Sequence, residues 1–259
     1  MIAVVLAAGY ATRLRPLSDV IPKPLLPIAG RPMLDHIASA IDGVDDVRAI
    51  HVVTNHRFHP MFRDWGSRRR GVKPVVVWDD GTESNEARRG ALGDLQLVLE
   101  RGGLQQEHVL VLAGDNLFEQ DLGAFADFWR RRPGTSAIAI HHCPDLELVR
   151  RYSAVERGAD DHVVSFTEKP SQPASHWVGV AIYLYCATHA GMLGDYLAAG
   201  GSPDAPGSFV AWLHRRVPVY GFTLEGDWLD IGDQQQLLDA DNRWRLKSGM
   251  PVRARYSPA

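Results

Sequence analysis

Residues 1–27 read MIAVVLAAGYATRLRPLSDVIPKPLLP. Ile2 to Leu6 is a short unbroken apolar run, the pattern of a β-strand buried on both faces. It opens directly into Ala7-Ala8-Gly9-Tyr10-Ala11-Thr12-Arg13, a turn of mostly small residues that ends in a permanent cation. Ten residues later Lys23 stands between Pro22 and Pro24. A strand that feeds a compact loop leaves backbone N–H groups unpaired, and such groups suit phosphate oxygens. Arg13 and Lys23 add positive charge where a polyphosphate would lie. Either cation alone reads as a solvated loop residue; the pair, spaced by prolines behind a first strand, points to an anion site.

Outward from this stretch, apolar runs alternate with helical patterns. Residues 48–53, 74–78 and 109–112 read as strands, and residues 32–41, 89–99 and 122–131 as helices. In residues 32–41 the apolar positions Met33, Leu34, Ile37, Ala38 and Ile41 share one helical face. This βαβ alternation predicts an α/β fold with a mostly parallel, doubly wound, Rossmann-like sheet, whose ligands lie beyond the C-terminal strand ends. Residues 136–140, 163–167, 178–185 and 217–223 read as further strands with fewer helices between them, and residues 205–216 and 233–247 as helices. The expectation is one domain over residues 1–247, with a small β-region in its second half, and an irregular, frayed tail over residues 248–259.

Composition narrows the function classes. With 259 residues, 45% hydrophobic and 23% charged, the chain has enough apolar sequence for a substantial core. A net charge of −3 argues against a broad nucleic-acid surface. Two cysteines give no disulfide framework and fit a reducing compartment. No apolar stretch approaches the ~20 residues that span a bilayer, and the first strand lacks the basic flank of a signal peptide. The expected location is cytoplasmic, away from membranes. A homo-oligomeric state is left open.

Asp115 follows the strand at 109–112 in Leu112-Ala113-Gly114-Asp115-Asn116, on the ligand edge of such a sheet. Read alone, it also suits a turn or a helix N-cap. Asp230 lies in Trp228-Leu229-Asp230-Ile231-Gly232, with Asp233 better placed to cap the following helix. Glu168-Lys169-Pro170 closes the strand at 163–167. Residues 6–16, LAAGYATRLRP, and 23–27, KPLLP, complete a set of motifs in fixed order. Together they resemble the sugar-1-phosphate nucleotidyltransferases, with thymidylyltransferases acting on glucose 1-phosphate as the first comparison. That family's loop runs roughly L-A-G-G-x-G-T-R-L-x-P, followed by K-P-x-x-P. Ala8 and Ala11 stand where the pattern has glycines, and alanine does not readily take φ > 0.

The resemblance covers residues 2–232. It implies that NTP and sugar 1-phosphate give NDP-sugar and pyrophosphate. It assigns nucleotide contacts to Leu6, Ala7, Ala8, Gly9, Tyr10, Ala11, Thr12 and Gly114, and catalytic charge to Arg13 and Lys23. Asp115 and Asp230 would hold Mg²⁺, a hard ion suited to few protein oxygens. Asn116, Glu168, Lys169 and Gly179 would take the sugar phosphate. The segment Asp79-Asp80-Gly81-Thr82-Glu83-Ser84-Asn85 stands where the family recognises the base, which implicates Asp80, Gly81, Asn85 and Gly90. Its wording departs from the uridylyl and thymidylyl members, so thymidylyl transfer is only a first choice. Guanylyl, uridylyl, cytidylyl and adenylyl transfer, a cyclitol phosphate acceptor, a choline-phosphate cytidylyltransferase and a silent regulatory relative stay open. A nicotinamide-dependent oxidoreductase is disfavoured, because the first turn has only Gly9 and Thr54-Asn55 follow the second strand.

Overall fold

The structure is a computed structural model that describes residues 1–258; Ala259, the end of the expected tail, lies outside the described residues. The strands are β1 (Ile2–Leu6), the short hairpin β2 (Pro27–Ile28) and β3 (Arg31–Pro32), β4 (Ile50–Thr54), β5 (Val75–Asp79), β6 (Val109–Ala113), β7 (Asn116–Phe118), β8 (Ser136–His142), β9 (Ser153–Arg157), β10 (Val163–Glu168), β11 (Trp177–Tyr185), β12 (Val219–Thr223) and β13 (Trp228–Asp230). The helices are α1 (Leu17–Val20), α2 (Met33–Asp42), α3 (His59–Arg68), α4 (Ala91–Arg101), α5 (Leu122–Arg130), α6 (Leu146–Val149), α7 (Ala187–Ala198), α8 (Pro206–Leu213) and α9 (Gln234–Lys247).

Among the described residues, nine strands form one sheet. Its path runs β10-β9-β11-β6-β1-β4-β5, with β8 beside β11 and β12 beside β8. Strands β6, β1, β4 and β5 run parallel to one another, as the βαβ alternation predicts. Side chains alternate along β1, so Ala3 and Val5 enter one core while Ile2 and Val4 enter the other. The first core holds the apolar faces of α2 and α5, and the second holds those of α4, α7 and α8. Burial on both faces explains why β1 is apolar at every position.

The second half joins through β11. This nine-residue strand runs antiparallel to β6, β8 and β9. Its C-terminal end, Ile182 to Tyr185, pairs with β6, and its N-terminal end, Trp177 to Gly179, pairs with β9. A register shift between Gly179 and Tyr183 on the β8 side accommodates the change of neighbour. Nine elements lie outside the sequence-based expectation: the longer α3, β9 and α7, and the short α1, β2, β3, β7, α6 and β13. Helix α3 buries only Phe62 and Trp65, too few for a clear apolar stripe.

Residues 250–258 carry no helix or strand, as expected, but the tail is tied down and not frayed. Asn242 Nδ2 donates to the Arg253 carbonyl (2.9 Å), and the Arg253 N–H donates back to Asn242 Oδ1 (2.7 Å). The Tyr256 hydroxyl donates to the Pro27 carbonyl at 2.8 Å, beside the Lys23-Pro24 turn. No helix of the described residues is long and apolar enough to cross a membrane.

Candidate functional site

A cleft of about 910 Å³ opens at the C-terminal ends of β1 and β6. The loop after β1 forms one wall. Its backbone turns at Ala11, which takes φ 45° and ψ 46° and caps the 3₁₀ turn Thr12–Leu14. This is the left-handed conformation for which the family pattern supplies glycine. Alanine adopts it at a cost of about 1 kcal/mol. Of the two alanines at pattern glycines, only Ala11 requires positive φ. Gly114 meets a different demand: its N–H donates to the Leu6 carbonyl at 2.8 Å, and a Cβ there would sit 2.9 Å from that oxygen.

The carboxylates are brought together by strand register. β7 and β13 form a separate antiparallel pair in which Asn116 faces Asp230. Asn116 is almost fully buried, and its Nδ2 donates to Asp115 Oδ1 (2.9 Å) and Asp230 Oδ1 (3.3 Å). Trp228 Nε1 fixes the amide by donating to Asn116 Oδ1 at 2.7 Å. Lys23 Nζ donates to Asp115 Oδ2 at 2.7 Å. The Lys23 side chain is 9% exposed and that of Asp115 is 38% exposed, so the pair sits at the cleft wall with the carboxylate accessible.

The two acids respond differently to this setting. Desolvation raises the Asp115 pKa, but the Lys23 ammonium, its hydrogen bond and the Asn116 amide together hold the carboxyl below its ordinary value. Desolvation and then the Asp115 charge push Asp230 up to about 6, against the pull of Lys23 and Arg13. Tyr152 also faces this corner and packs edge-on against Trp228 at 4.9 Å. Burial, then the Asp230 charge, push its phenol up to about 12, so it remains a neutral hydroxyl at physiological pH.

Across the cleft, Glu168 ends β10 and accepts a hydrogen bond from Ser153 Oγ. Gly207, near the start of α8, has no side chain, and a Cβ there would overlap the Glu168 carboxylate. Lys169 follows with φ 46° and is exposed. A Cβ added to Gly179 would come within 2.9 Å of the Phe166 ring, so this glycine permits a close ring contact as well as lining the cleft.

The cleft gathers most of the residues singled out by sequence: Leu6, Ala7, Ala8, Gly9, Ala11, Arg13, Lys23, Gly90, Gly114, Asp115, Asn116, Glu168, Lys169, Gly179 and Asp230 all line it. Tyr10, Thr12, Asp80, Gly81 and Asn85 do not. Asp80 turns inward, where it accepts from the Thr82 N–H (2.6 Å) and Thr82 Oγ1 (2.9 Å), while the Tyr10 hydroxyl lies 3.3 Å from Thr82 Oγ1. Residues not foreseen also line the cleft, among them Asp94, Arg151, Tyr152 and Gln236. The Arg88 guanidinium pairs with Asp204 at 3.2 Å across the rim.

Among the described residues, no group of three or more His, Cys, Asp and Glu side chains is arranged to hold a metal ion. Asp115 and Asp230 nevertheless make a suitable donor set for a hard cation: two hard oxygen ligands on an open wall, with Asp230 raised by desolvation and then by the Asp115 charge.

Comparison with known proteins finds relatives along most of this chain. A uridylyltransferase for UTP and glucose 1-phosphate from Synechocystis is 27% identical over 241 residues, covering 90% of this chain and 60% of that protein. A bifunctional GlmU protein from Methanococcus vannielii is 27% identical, covering 97% of this chain and 56% of the relative. A glucose-1-phosphate adenylyltransferase from Clostridium novyi is 24% identical, covering 93% and 66%. The chain thus spans a little over half to two thirds of the length of these relatives. Two solved structures share the fold. One, described as a Bacillus anthracis glucose-1-phosphate thymidylyltransferase in complex with sucrose, has a TM-score of 0.76 at 20% identity, covering 95% of each chain. The other, an apo UDP-glucose pyrophosphorylase, has a TM-score of 0.78 at 17% identity, covering 96% of this chain and all of that one. The nucleotidyl transferase family model matches residues 2–245, a span that takes in the β1 loop, both clustered carboxylates and the Glu168-Lys169 corner, and the chain belongs to that family.

Proposed function

We propose that this protein transfers a nucleotidyl group from an NTP to a sugar 1-phosphate, releasing pyrophosphate. The observation that carries the reading is the Asn116-bridged carboxylate pair, with Lys23 on one member, at the mouth of a loop built for phosphates. In this reading residues 1–130 hold the nucleotide, and residues 131–247 present the sugar phosphate. The acceptor is already an anion at neutral pH, so no side-chain nucleophile is required. A phosphate oxygen of the sugar attacks the α-phosphorus in line, and the bond to the leaving pyrophosphate breaks. The protein's contribution is alignment and charge neutralisation. Arg13 and Lys23 offset charge on the α-phosphoryl group and the departing pyrophosphate. Lys169 holds the incoming phosphate, and Glu168, oriented by Ser153, accepts from sugar hydroxyls. Asp115 and Asp230 would hold Mg²⁺, which supplies Lewis-acid stabilisation of phosphate charge.

Two free, buried cysteines support a cytoplasmic setting. Thymidylyl transfer to glucose 1-phosphate, the first choice from sequence layout, has a fold neighbour of that description, while the relatives matched by sequence include uridylyl and adenylyl enzymes. Pyrophosphate release from ATP, CTP, GTP, UTP and dTTP, each with a panel of sugar 1-phosphates and cyclitol phosphates, tests the reading. At least one combination should turn over with a divalent cation. Silence across the panel, from protein that binds NTP normally, would favour a regulatory relative.

A further inference from the structure

The nine-stranded sheet ends at β5, and among the described residues no strand lies on the outer side of β5. A bare strand edge offers a row of N–H and C=O groups to any chain that can pair with it, so edges are ordinarily blunted by a charge, a bulge or a cover. The other edges of this sheet are blunted. At β10 the pairing slips between Val163 and Ser165. Beyond β12, the Gly221 N–H donates to the Asp161 carbonyl at 2.8 Å, and His162 forms a bridge with Tyr220. β5 has neither device. Its register with β4 is unbroken from Val75 to Asp79, and Val75-Val76-Val77-Trp78 carries no charge. The hydrogen bonds to β4 fix which groups point outward. The Ile50 N–H donates to the Pro74 carbonyl, and the Asp80 N–H donates to the Thr54 carbonyl, each at 2.9 Å. Backbone groups alternate sides along a strand, so those of Val76 and Trp78 also face β4. The N–H and C=O groups of Val75, Val77 and Asp79 therefore point away from the sheet.

We propose that the β5 edge is a homodimer interface: β5 of a second copy pairs with it antiparallel about a two-fold axis at Val77, joining the two sheets into one. The occupant is argued from the edge itself, because its outward groups are symmetric about Val77. In this register Val77 meets the partner's Val77 and Val75 meets the partner's Asp79. Each such pair exchanges both N–H···O bonds, so every outward group is used. A one-residue slip would set outward groups against groups committed to β4. The side chains fit the same axis. Val75 and Val77 stand against α3 at Gly66, where an added Cβ would lie 3.5 Å from each. Val76 and Trp78 share the opposite face, and Val76 is 39% exposed. Val76 falls opposite the partner's Trp78, an apolar pair that symmetry forms twice. Charge sets the direction. Arg70 and Lys73 precede the strand; Asp79, already 2.6 Å from His56 Nδ1, ends it, and the exposed Glu83 follows. Antiparallel pairing places Lys73 opposite the partner's Gly81, diagonal to its Asp79 and Glu83. Parallel pairing in register would align Lys73 with Lys73 and Asp79 with Asp79, like charges side by side.

Sedimentation equilibrium of the full chain, over a roughly 100-fold range of concentration, should follow a monomer–dimer equilibrium. Val77→Pro removes an outward N–H and no bond to β4, and proline is tolerated on an edge strand for that reason. Val76→Lys sets a charge against the partner's Trp78. Each variant should weaken dimerisation about 10-fold or more, because symmetry counts every loss twice. Circular dichroism shows whether each variant folds. Amide hydrogen exchange of the unaltered protein gives an independent reading. The N–H groups of Val75, Val77 and Asp79 should become protected as concentration rises, while those of Val76 and Trp78 stay protected throughout. A protein that remains monomeric over the whole range overturns the proposal. So does a dimer that neither folded variant weakens, which would place the interface elsewhere. Exchange at Val75, Val77 and Asp79 that ignores concentration overturns it as well, whether or not Val77→Pro folds.

Discussion

Ala11 and Asp94 each carry a local cost that a measurement can isolate. Ala11 sits in the left-handed region without glycine's freedom. Ala11→Gly relieves that strain, although glycine also gives the unfolded chain more freedom. The net expectation is a gain of up to about 1 kcal/mol in unfolding free energy, read by denaturant titration. A loss would mean that the Ala11 methyl, which packs against the first core, outweighs the strain. For Asp94, buried in the first turn of α4, the sign follows from a pKa that desolvation and then the Asp80 charge push up, to about 8 when folded against about 4 when unfolded. Stability from the protonated acid is fully present below pH ~4 and is lost as pH rises through ~8. Asparagine does not titrate. The melting temperature of Asp94→Asn minus that of wild type should therefore grow between pH 5 and pH 8. A constant difference would show that Asp94 ionises normally, despite Asp80 beside it.

At the scale of elements, the β7–β13 pair is the device that turns two distant carboxylates into one site. Asn116 was expected to contact the sugar phosphate, yet its amide faces both acids and its oxygen is occupied by Trp228. Asn116→Ala should weaken divalent-cation affinity by about 10- to 100-fold, the usual effect of losing an outer partner of metal ligands. Titration with Mn²⁺, followed by its paramagnetic relaxation of water, would read this directly; unchanged affinity would confine Asn116 to packing. The strand contacts also show what a sequence can and cannot disclose. Asp115 was visible because it ends an apolar run, and Lys23 because prolines bracket it. The pairing of Asn116 with Asp230 joins positions 114 residues apart, and no periodicity carries such a register. Asp94 was hidden for another reason. An acid in the first turn of an amphipathic helix ordinarily favours the helix dipole and faces water. Only the packed fold shows that this one faces Asp80.

Over the whole molecule, both cores press on one sheet, and β11 belongs to both halves of the cleft. Calorimetric unfolding is expected to show one cooperative transition, with calorimetric and van't Hoff enthalpies in agreement. Two resolved transitions would divide the chain near residue 130 into independent units. The tail adds a contact between the chain's two ends: Tyr256 reaches Pro27, four residues beyond Lys23.

The single strand shared by the two halves has a kinetic corollary. A hinged enzyme can recruit its second substrate by swinging one lobe over the other, and the gap between reactants then closes only on binding. Here such a swing would tear the β11 ladder from β6 or from β9. In the proposed transfer reaction, donor and acceptor would instead share one frame. Their spacing would be set when the chain folds, leaving only loops and side chains to adjust as each arrives.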